Sequence, residues 1–482
     1  MKTLCSQLLL CLSAILLLSH CVTVGEEQPA HPNIIYINVD DLGWKDLGFM
    51  GSSYYETPNL DQLAQQSMRF SQAYAGAANC APSRACLISG MNTPRHGIYT
   101  VSPSDRGDDR TRRIIPTPNT NILADTVYTL AEMLQDQGYV TASIGKWHLG
   151  ENPESQGFDV NVGGSKRGNP GKGGYFSPYK IQHISDGPEG EYLTDRLTDE
   201  AMQFVRQHRD SSFFLYLPYY TVHTPIMGKE SLVKKFENKS PSKGQDRADY
   251  AAMVASMDEN LGRLLALLDE LELRENTLII FSSDNGGIRS ISSQEPLRAG
   301  KGSYYEGGIR VPMLVSWPGQ IEEGSQCDVP VSNLDIYPSI QALLGIQNNN
   351  PLLDGDDISP LWYGKSIQER PLFWHFPIYL EAYSMQDDDG RDPIFRTRPG
   401  SVIRMGDWKL HEYFEDGSLE LYRLSDDLGE RNNLAEEHPQ KTAELHQMLK
   451  DWRLRTHAPV PEAANPHYDA AYEAQLLEGV GR

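Results

Sequence analysis

Cysteine is scarce in this chain: six thiols in 482 residues. Three of them, Cys5, Cys11 and Cys21, fall in the first 21 residues, which leaves Cys80, Cys86 and Cys327 for the remainder. An odd number this small excludes a fold stapled by disulfides, and at least one thiol serves a purpose other than bridging. Basic charge is also short. Against 65 Asp and Glu there are 43 Lys and Arg, for a formal net charge of −22. Nucleic-acid binding through a general positive field is thereby excluded, and any anionic substrate has to find a local basic pocket. Long apolar runs are missing as well: the run over residues 4–18 falls short of the ~20 residues that span a bilayer. What is present, 39% hydrophobic and 22% charged residues with 9% aromatics, is an ordinary globular composition.

Met1 and Lys2 ahead of the apolar run read as a secretory leader, cleaved between Cys21 and Gly25, and predict an extracytoplasmic protein, periplasmic or secreted. Cys21 follows Leu18-Ser19-His20, where a lipoprotein box has a small residue in place of His20. A lipid anchor at Cys21 is therefore the secondary reading. The expected organisation is a leader over residues 1–24, a catalytic domain over 32–395 and a C-terminal subdomain over 396–482 packed on it.

Near-continuous apolar, β-branched runs at 33–39, 139–144, 213–217, 277–281 and 311–317 have strand length and suit a sheet covered on both faces. Helical patterns separate them. Thr57-Pro58 reads as an N-cap and first turn, Val127, Leu130 and Leu134 run up to Gly138, and Tyr250, Met253, Met257, Leu261, Leu264 and Leu268 form a long core stripe. This alternation predicts an α/β fold with a large, mainly parallel sheet and helices on both faces. Beyond about residue 400, runs at 401–405, 408–413 and 419–424 read as short antiparallel strands, followed by a helix carrying Leu445, Met448, Leu449 and Trp452. Residues 163–174 and 386–400, rich in Gly, Asp, Arg and Pro, are candidate binding loops or surface insertions.

The most informative segment is Asn79-Cys80-Ala81-Pro82-Ser83-Arg84, continuing to Cys86-Leu87-Ile88-Ser89-Gly90. Pro82 suits the first turn of a helix, which leaves Cys80 at its N-terminal mouth beside unsatisfied backbone N–H groups, with Arg84 one turn on. That is the usual setting of a reactive cysteine, although a lone Cys at a helix start is more often structural. Asp40-Asp41 and Asp284-Asn285 each follow a predicted buried strand, and strand carboxyl ends form the ligand crevice of open α/β sheets. Either pair alone reads as a solvated turn; two together reverse that preference. Four oxygen side chains suit a hard cation, Ca²⁺ ahead of Mg²⁺, over zinc.

The cysteine string resembles the signature of type I sulfatases of the alkaline-phosphatase-like superfamily, in which a maturation enzyme oxidises the cysteine to Cα-formylglycine. Other motifs match in order over nearly the whole chain after the leader: Asp40-Asp41, Gly145-Lys146-Trp147-His148-Leu149-Gly150, His223-Thr224-Pro225, Ser283-Asp284-Asn285-Gly286-Gly287, Lys301-Gly302, and Glu306-Gly307-Gly308-Ile309-Arg310-Val311-Pro312. Leu421-Tyr422 and Asn432-Asn433-Leu434 resemble the family's C-terminal subdomain. Ala81 and Val222 depart from the commoner pattern without removing a functional group.

The resemblance implies a formylglycine-dependent sulfuric ester hydrolase with one Ca²⁺ held by Asp40, Asp41, Asp284 and Asn285. Serine would form a stable sulfate ester; a formylglycine hydrate made from Cys80 offers one hydroxyl to attack sulfur and a second whose deprotonation expels sulfate. Arg84, Lys146 and Lys301 would surround the sulfate oxygens. His148 would take the proton in the elimination, and His223 with Lys301 would protonate the leaving alcohol. The implied partners are a sulfated carbohydrate or other sulfate ester and the formylglycine-generating enzyme; the oligomeric state is not legible. Two alternatives stand beside this: a phosphate or phosphonate ester hydrolase of the same superfamily, and a non-catalytic glycan-binding relative. His375, in an aromatic segment, reads as a packed strand residue ahead of a sugar contact. Arg396, Arg398 and Arg404 are left outside the site, as contacts to a second anionic group or as a solvated face.

Overall fold

The computed structural model describes residues 31–102, 106–347 and 350–480. The leader and the lipid-anchor alternative at Cys21 lie outside them. Strand β1 (Asn33–Val39) is buried along its whole length. Successive side chains of a strand point to opposite faces, so Ile35, Ile37 and Val39 enter one apolar cluster while Ile34 and Tyr36 enter another. Only a sheet with helices on both sides can hide both sets.

Eight more strands complete that sheet: β2 (Met68–Tyr74), β3 (Val140–Ile144), β4 (Val160–Val162), β5 (Phe213–Pro218), β6 (Thr277–Ser283), β7 (Arg310–Ser316), β8 (Gln326–Cys327) and β9 (Val331–Ser332). Their order is β4-β3-β5-β1-β6-β7-β2-β8, with β9 beside β2. Among these strands only β7 runs against its neighbours. Helices α1 (Pro58–Gln65), α4 (Leu193–Gln207) and α5 (Ala248–Glu270) cover one face. On the other lie α2 (Cys80–Ser89), α3 (Leu130–Asp136) and α6 (Ile336–Leu343). This is the α/β architecture expected from the sequence.

A four-stranded antiparallel sheet, β10 (Leu372–Phe376), β13 (Gly400–Met405), β14 (Trp408–Tyr413) and β15 (Leu419–Arg423), forms the smaller unit. Strand β10 comes from the N-terminal side of the division expected at 395/396. Between β10 and β13, β11 (Leu380–Glu381) pairs with β12 (Phe395–Thr397). Helix α7 (Pro439–Thr456) lays Leu445, Leu449 and Trp452 against Ile403, Leu410 and Leu421.

Two local expectations change. Thr57 occupies the N-cap position of α1 but caps no backbone donor; its hydroxyl donates to Asp61 Oδ1 at 3.1 Å and accepts from the Gly48 amide at 2.8 Å. Arg396, Arg398 and Arg404 are buried and do not form a solvated face. Arg398 pairs with Asp392, Glu415 and Glu473, and Arg404 reaches the Tyr74 hydroxyl. His375 is a packed strand residue, with Nδ1 2.8 Å from Ser401 Oγ and Nε2 2.9 Å from the Pro459 carbonyl. Cys80, Cys86 and Cys327 are all buried free thiols.

Candidate active site

Adjacent strands β1 and β6 run parallel with Val39 opposite Ser283, so Asp40-Asp41 and Asp284-Asn285 leave the sheet side by side. The Asp41 amide donates to Asp284 Oδ1 at 3.1 Å, and Asn285 Nδ2 donates to Asp41 Oδ1 at 2.9 Å. Strand β5, on the other flank of β1, delivers His223: Asp40 and the chain after Pro218 exchange amide–carbonyl bonds at Thr221 and Val222, each 2.9 Å. The Tyr175 hydroxyl then ties this turn down by donating to the carbonyls of Tyr220 and His223, at 2.6 and 2.8 Å.

Strand β3 supplies Lys146 and His148. Gly145 stands between them and the sheet with φ of 130°, and an added Cβ there would lie 2.0 Å from the Pro218 carbonyl oxygen. Only glycine allows this approach. The turn aims Lys146 Nζ at Asp40 Oδ2, 2.6 Å away. Opposite, the loop entering β7 places Lys301 Nζ 2.7 Å from Asp41 Oδ2, its backbone held by the Gly287 carbonyl.

All ten residues of α2 are buried, so its N-terminus opens inside the protein and not on the surface. Cys80, its first residue, places Sγ 3.7 Å from Asp41 Oδ1. One turn on, Arg84 donates to Asp284 Oδ2 and to the Lys146 carbonyl, both at 2.9 Å. The structure thus gathers Asp40, Asp41, Cys80, Arg84, Lys146, His148, His223, Asp284, Asn285 and Lys301 at one end of the sheet. Ligand atoms of Asp40, Asp41, Cys80 and His223 lie within 4.8 Å of one another.

Burial pushes the Asp40 carboxyl well above the usual range despite Lys146. At Asp41 burial acts the same way, but Lys301, His223 and Lys146 outweigh it and hold the group below the carboxylate range. Burial, then the cations Lys146 and Arg84, drive His148 well below the ordinary imidazole value, so its ring is neutral. His223 is lowered by burial and by Lys301. Lys301 is raised, because Asp41 overcomes the burial penalty. Asp40 Oδ1 and Asn285 Oδ1 are buried with no hydrogen-bond partner among the described residues. Two orphaned oxygens beside two further carboxylates fit a hard divalent cation, which would supply the missing interactions.

Sequence reasoning singled out none of the supporting contacts. Gly168, in the candidate loop 163–174, lies flat on the His148 ring: an added Cβ would sit 2.2 Å from Cε1. In the second loop Arg396 donates to the Lys301 carbonyl at 3.1 Å and stacks 3.5 Å over the Tyr383 ring. The loop compositions carried that signal without naming Gly168, and Arg396 was named but placed outside the site.

A mainly parallel α/β sheet whose strand ends collect carboxylates, ammonium groups, a guanidinium and a helix-terminal thiol defines a hydrolase of tetrahedral-oxyanion esters. The Sulfatase family matches residues 32–346, and the N-sulphoglucosamine sulphohydrolase C-terminal family matches 300–456. The chain belongs to the sulfatase family and is a sulfuric ester hydrolase. It is 34% identical to a sulfatase of Formosa agariphila over 89% of this chain and 90% of that one. It is 32% identical to N-acetylgalactosamine-6-sulfatase of Mus musculus over 77% and 73%. The structure of Ps i-CgsB in complex with k-i-k-neocarrahexaose matches with a TM-score of 0.72 and 28% identity, over 94% of this chain and 98% of that one.

Proposed function

We propose that this chain hydrolyses sulfate esters of a sulfated carbohydrate, with Cys80 converted to Cα-formylglycine and Ca²⁺ held by Asp40, Asp41, Asp284 and Asn285. The observation that carries the reading is the position of Cys80 Sγ at the buried mouth of α2, 3.7 Å from Asp41, in a cluster containing Arg84, Lys146 and Lys301. Formylglycine and the cation together supply an activated hydroxyl nucleophile that can later be released from its sulfate.

The chain's own side chains perform the remaining work. Arg84 is fixed by Asp284 and the Lys146 carbonyl, so its guanidinium is oriented before substrate arrives. With Lys146 and Lys301 it places three positive charges where sulfate oxygens gather charge in transfer, and it meets the need for a local basic pocket in an acidic protein. His148, neutral and with Nδ1 unpartnered among the described residues, is assigned as the base that takes a proton from the second hydroxyl at Cys80. His223 donates Nδ1–H to the Thr224 carbonyl at 2.7 Å; in its imidazolium form Nε2–H gives the second proton to the departing alcohol and the ring returns to neutral, with Lys301 beside it.

Support for a carbohydrate comes from the relatives: one is named for N-acetylgalactosamine 6-sulfate chemistry, and another binds a neocarrahexaose. A cleaved leader over residues 1–24, read from the sequence, would place this action outside the cytoplasm; N-terminal sequencing of exported protein tests it. The function is tested by paired rates on 4-nitrophenyl sulfate and 4-nitrophenyl phosphate, followed by a panel of sulfated oligosaccharides. A dominant sulfate rate with release from an oligosaccharide is expected. A dominant phosphate rate would overturn the reaction, and turnover of phenolic esters alone would overturn the carbohydrate.

A further inference from the structure

Between the chain that follows Asn285 and the loop that follows Tyr383 lies a recess of about 440 Å³, lined by Arg289, Ser290, Ser293, Gln386, Asp387 and Asp389. That volume is within the range of small-ligand sites, ~300–1,000 Å³. Both walls are tied to the backbone of the segment that carries Lys301. On one, Gly287 accepts the Lys301 amide, and an added Cβ on Gly300 would lie 3.3 Å from Arg289 Cβ. On the other, half-exposed Tyr383 stacks under Arg396, the residue that holds the Lys301 carbonyl.

Arg289 differs from the arginines around it. Arg298 uses its donors on the carbonyls of Asp389, Gly390 and Glu430, and Arg391 uses one on Asp416 and Ser418. Among the described residues, Arg289 Nη1 is buried with no hydrogen-bond partner, and Nη2 makes no hydrogen bond and stands at ion-pair distance from Asp389 (3.4 Å) and Glu295 (3.6 Å). Nη1 is closed off from the recess, so the donor that a ligand oxygen or water there meets is Nη2, on the side chain that lines it. Asp389 is shared with Arg431, which sets two guanidinium groups against Asp387, Asp389 and Glu295 and leaves no net positive charge to favour an anion. Mixed guanidinium, carboxylate, hydroxyl and amide groups suit the hydroxyls of a neutral sugar.

We propose that this recess is a subsite for an uncharged sugar unit adjoining the sulfated one, with Arg289 donating to its oxygens. The inference rests on the sulfated-carbohydrate reading above. It makes this chain an enzyme of oligosaccharides in preference to sulfated monosaccharides.

The test compares kcat/KM of the full chain, with formylglycine at position 80 confirmed by mass and Ca²⁺ supplied, on three probes. These are 4-nitrophenyl sulfate, N-acetylgalactosamine 6-sulfate, and sulfated oligosaccharides that include k-i-k-neocarrahexaose and trisaccharides ending in N-acetylgalactosamine 6-sulfate. At least one oligosaccharide should exceed the monosaccharide by tenfold or more. Arg289→Met should erase that preference and leave the nitrophenyl rate in place. Ser290→Trp, which fills the recess from an exposed position, should do the same and guards against misfolding of the first variant. Equal losses on all probes, no loss on oligosaccharides, or no oligosaccharide preference in the parent would overturn the subsite. Absence of activity on every sulfate ester, the aryl ester included, would instead overturn the proposed function itself.

Discussion

Lys301 Nζ lies 2.7 Å from Asp41 Oδ2, so the ammonium proposed for the leaving-group side of the site is anchored on a carboxylate proposed for the cation. Both are almost fully buried, and neither charge can be removed alone without leaving the other uncompensated. Lys301→Met should lower kcat on 4-nitrophenyl sulfate by about 10²–10³-fold. Because Lys301 stands with His223 beside the departing oxygen, the loss should grow as the leaving alcohol becomes less acidic. Equal losses across a series of aryl and alkyl sulfates would remove Lys301 from leaving-group protonation.

The orphaned oxygens of Asp40 and Asn285 make cation binding a stability effect. After chelation, Ca²⁺ at a hundred times its dissociation constant should stabilise the fold by about 2.7 kcal/mol, read as a rise in Tm. Asp40→Asn should abolish that rise. A larger response to Zn²⁺ than to Ca²⁺ would contradict the oxygen-ligand assignment.

Gly168→Ala should drive a methyl group into the His148 imidazole, given the 2.2 Å approach of the added Cβ to Cε1. Displacing a catalytic base by about 1 Å costs on the order of 10²-fold in rate. We expect that loss in kcat with little change in Tm, since the contact lies in a surface loop; unchanged kcat would show that the ring position does not matter.

Between the two sheets, Lys409 is buried with Glu306 at 2.9 Å and Glu430 at 3.0 Å. Lys409→Met would remove the ammonium that both carboxylates share, leaving Glu306 to Arg310 and Glu430 to His411, and the expected destabilisation is about 3 kcal/mol in urea unfolding. A change below 1 kcal/mol would mean that one of the glutamates is protonated in the fold.

Burial pushes His96 and His375 down to about 3. Unfolded, each titrates near pH 6.5, so between roughly pH 6.5 and 3 the unfolded chain binds more protons. Their contribution is complete above about pH 6.5 and is lost as pH falls, by about 3 kcal/mol each at pH 4. His375→Gln should therefore show a shallower fall in urea midpoint between pH 7 and 4 than the parent. Identical slopes would show that His375 takes up its proton in the folded state.

Much of the fold is legible where sequence signals are local. Strands β1, β3, β5, β6 and β7 are buried on both faces and show as apolar runs. Strand β2 escapes because Arg69, Ser71 and Gln72 interrupt it and its pairing to β7 shifts register between Phe70 and Ala73. Asp40, Asp41, Asp284 and Asn285 follow readable strands and Cys80 and Arg84 open a readable helix, whereas Lys146, His148, His223 and Lys301 are named in advance only through the resemblance to type I sulfatases. Their supports are different: Gly168 on His148, Tyr175 on His223 and Arg396 on Lys301 join segments 20 to 95 residues apart, by pairings that no local pattern announces. The setting of Arg289 between Asp389 and Glu295 is of the same kind.

The most direct measurement is the rate on 4-nitrophenyl sulfate plotted against the fraction of Cys80 converted, in preparations made with and without the maturation enzyme. A line through the origin, with no activity in Cys80→Ala, is the predicted result. A rate that does not change with conversion would contradict the account.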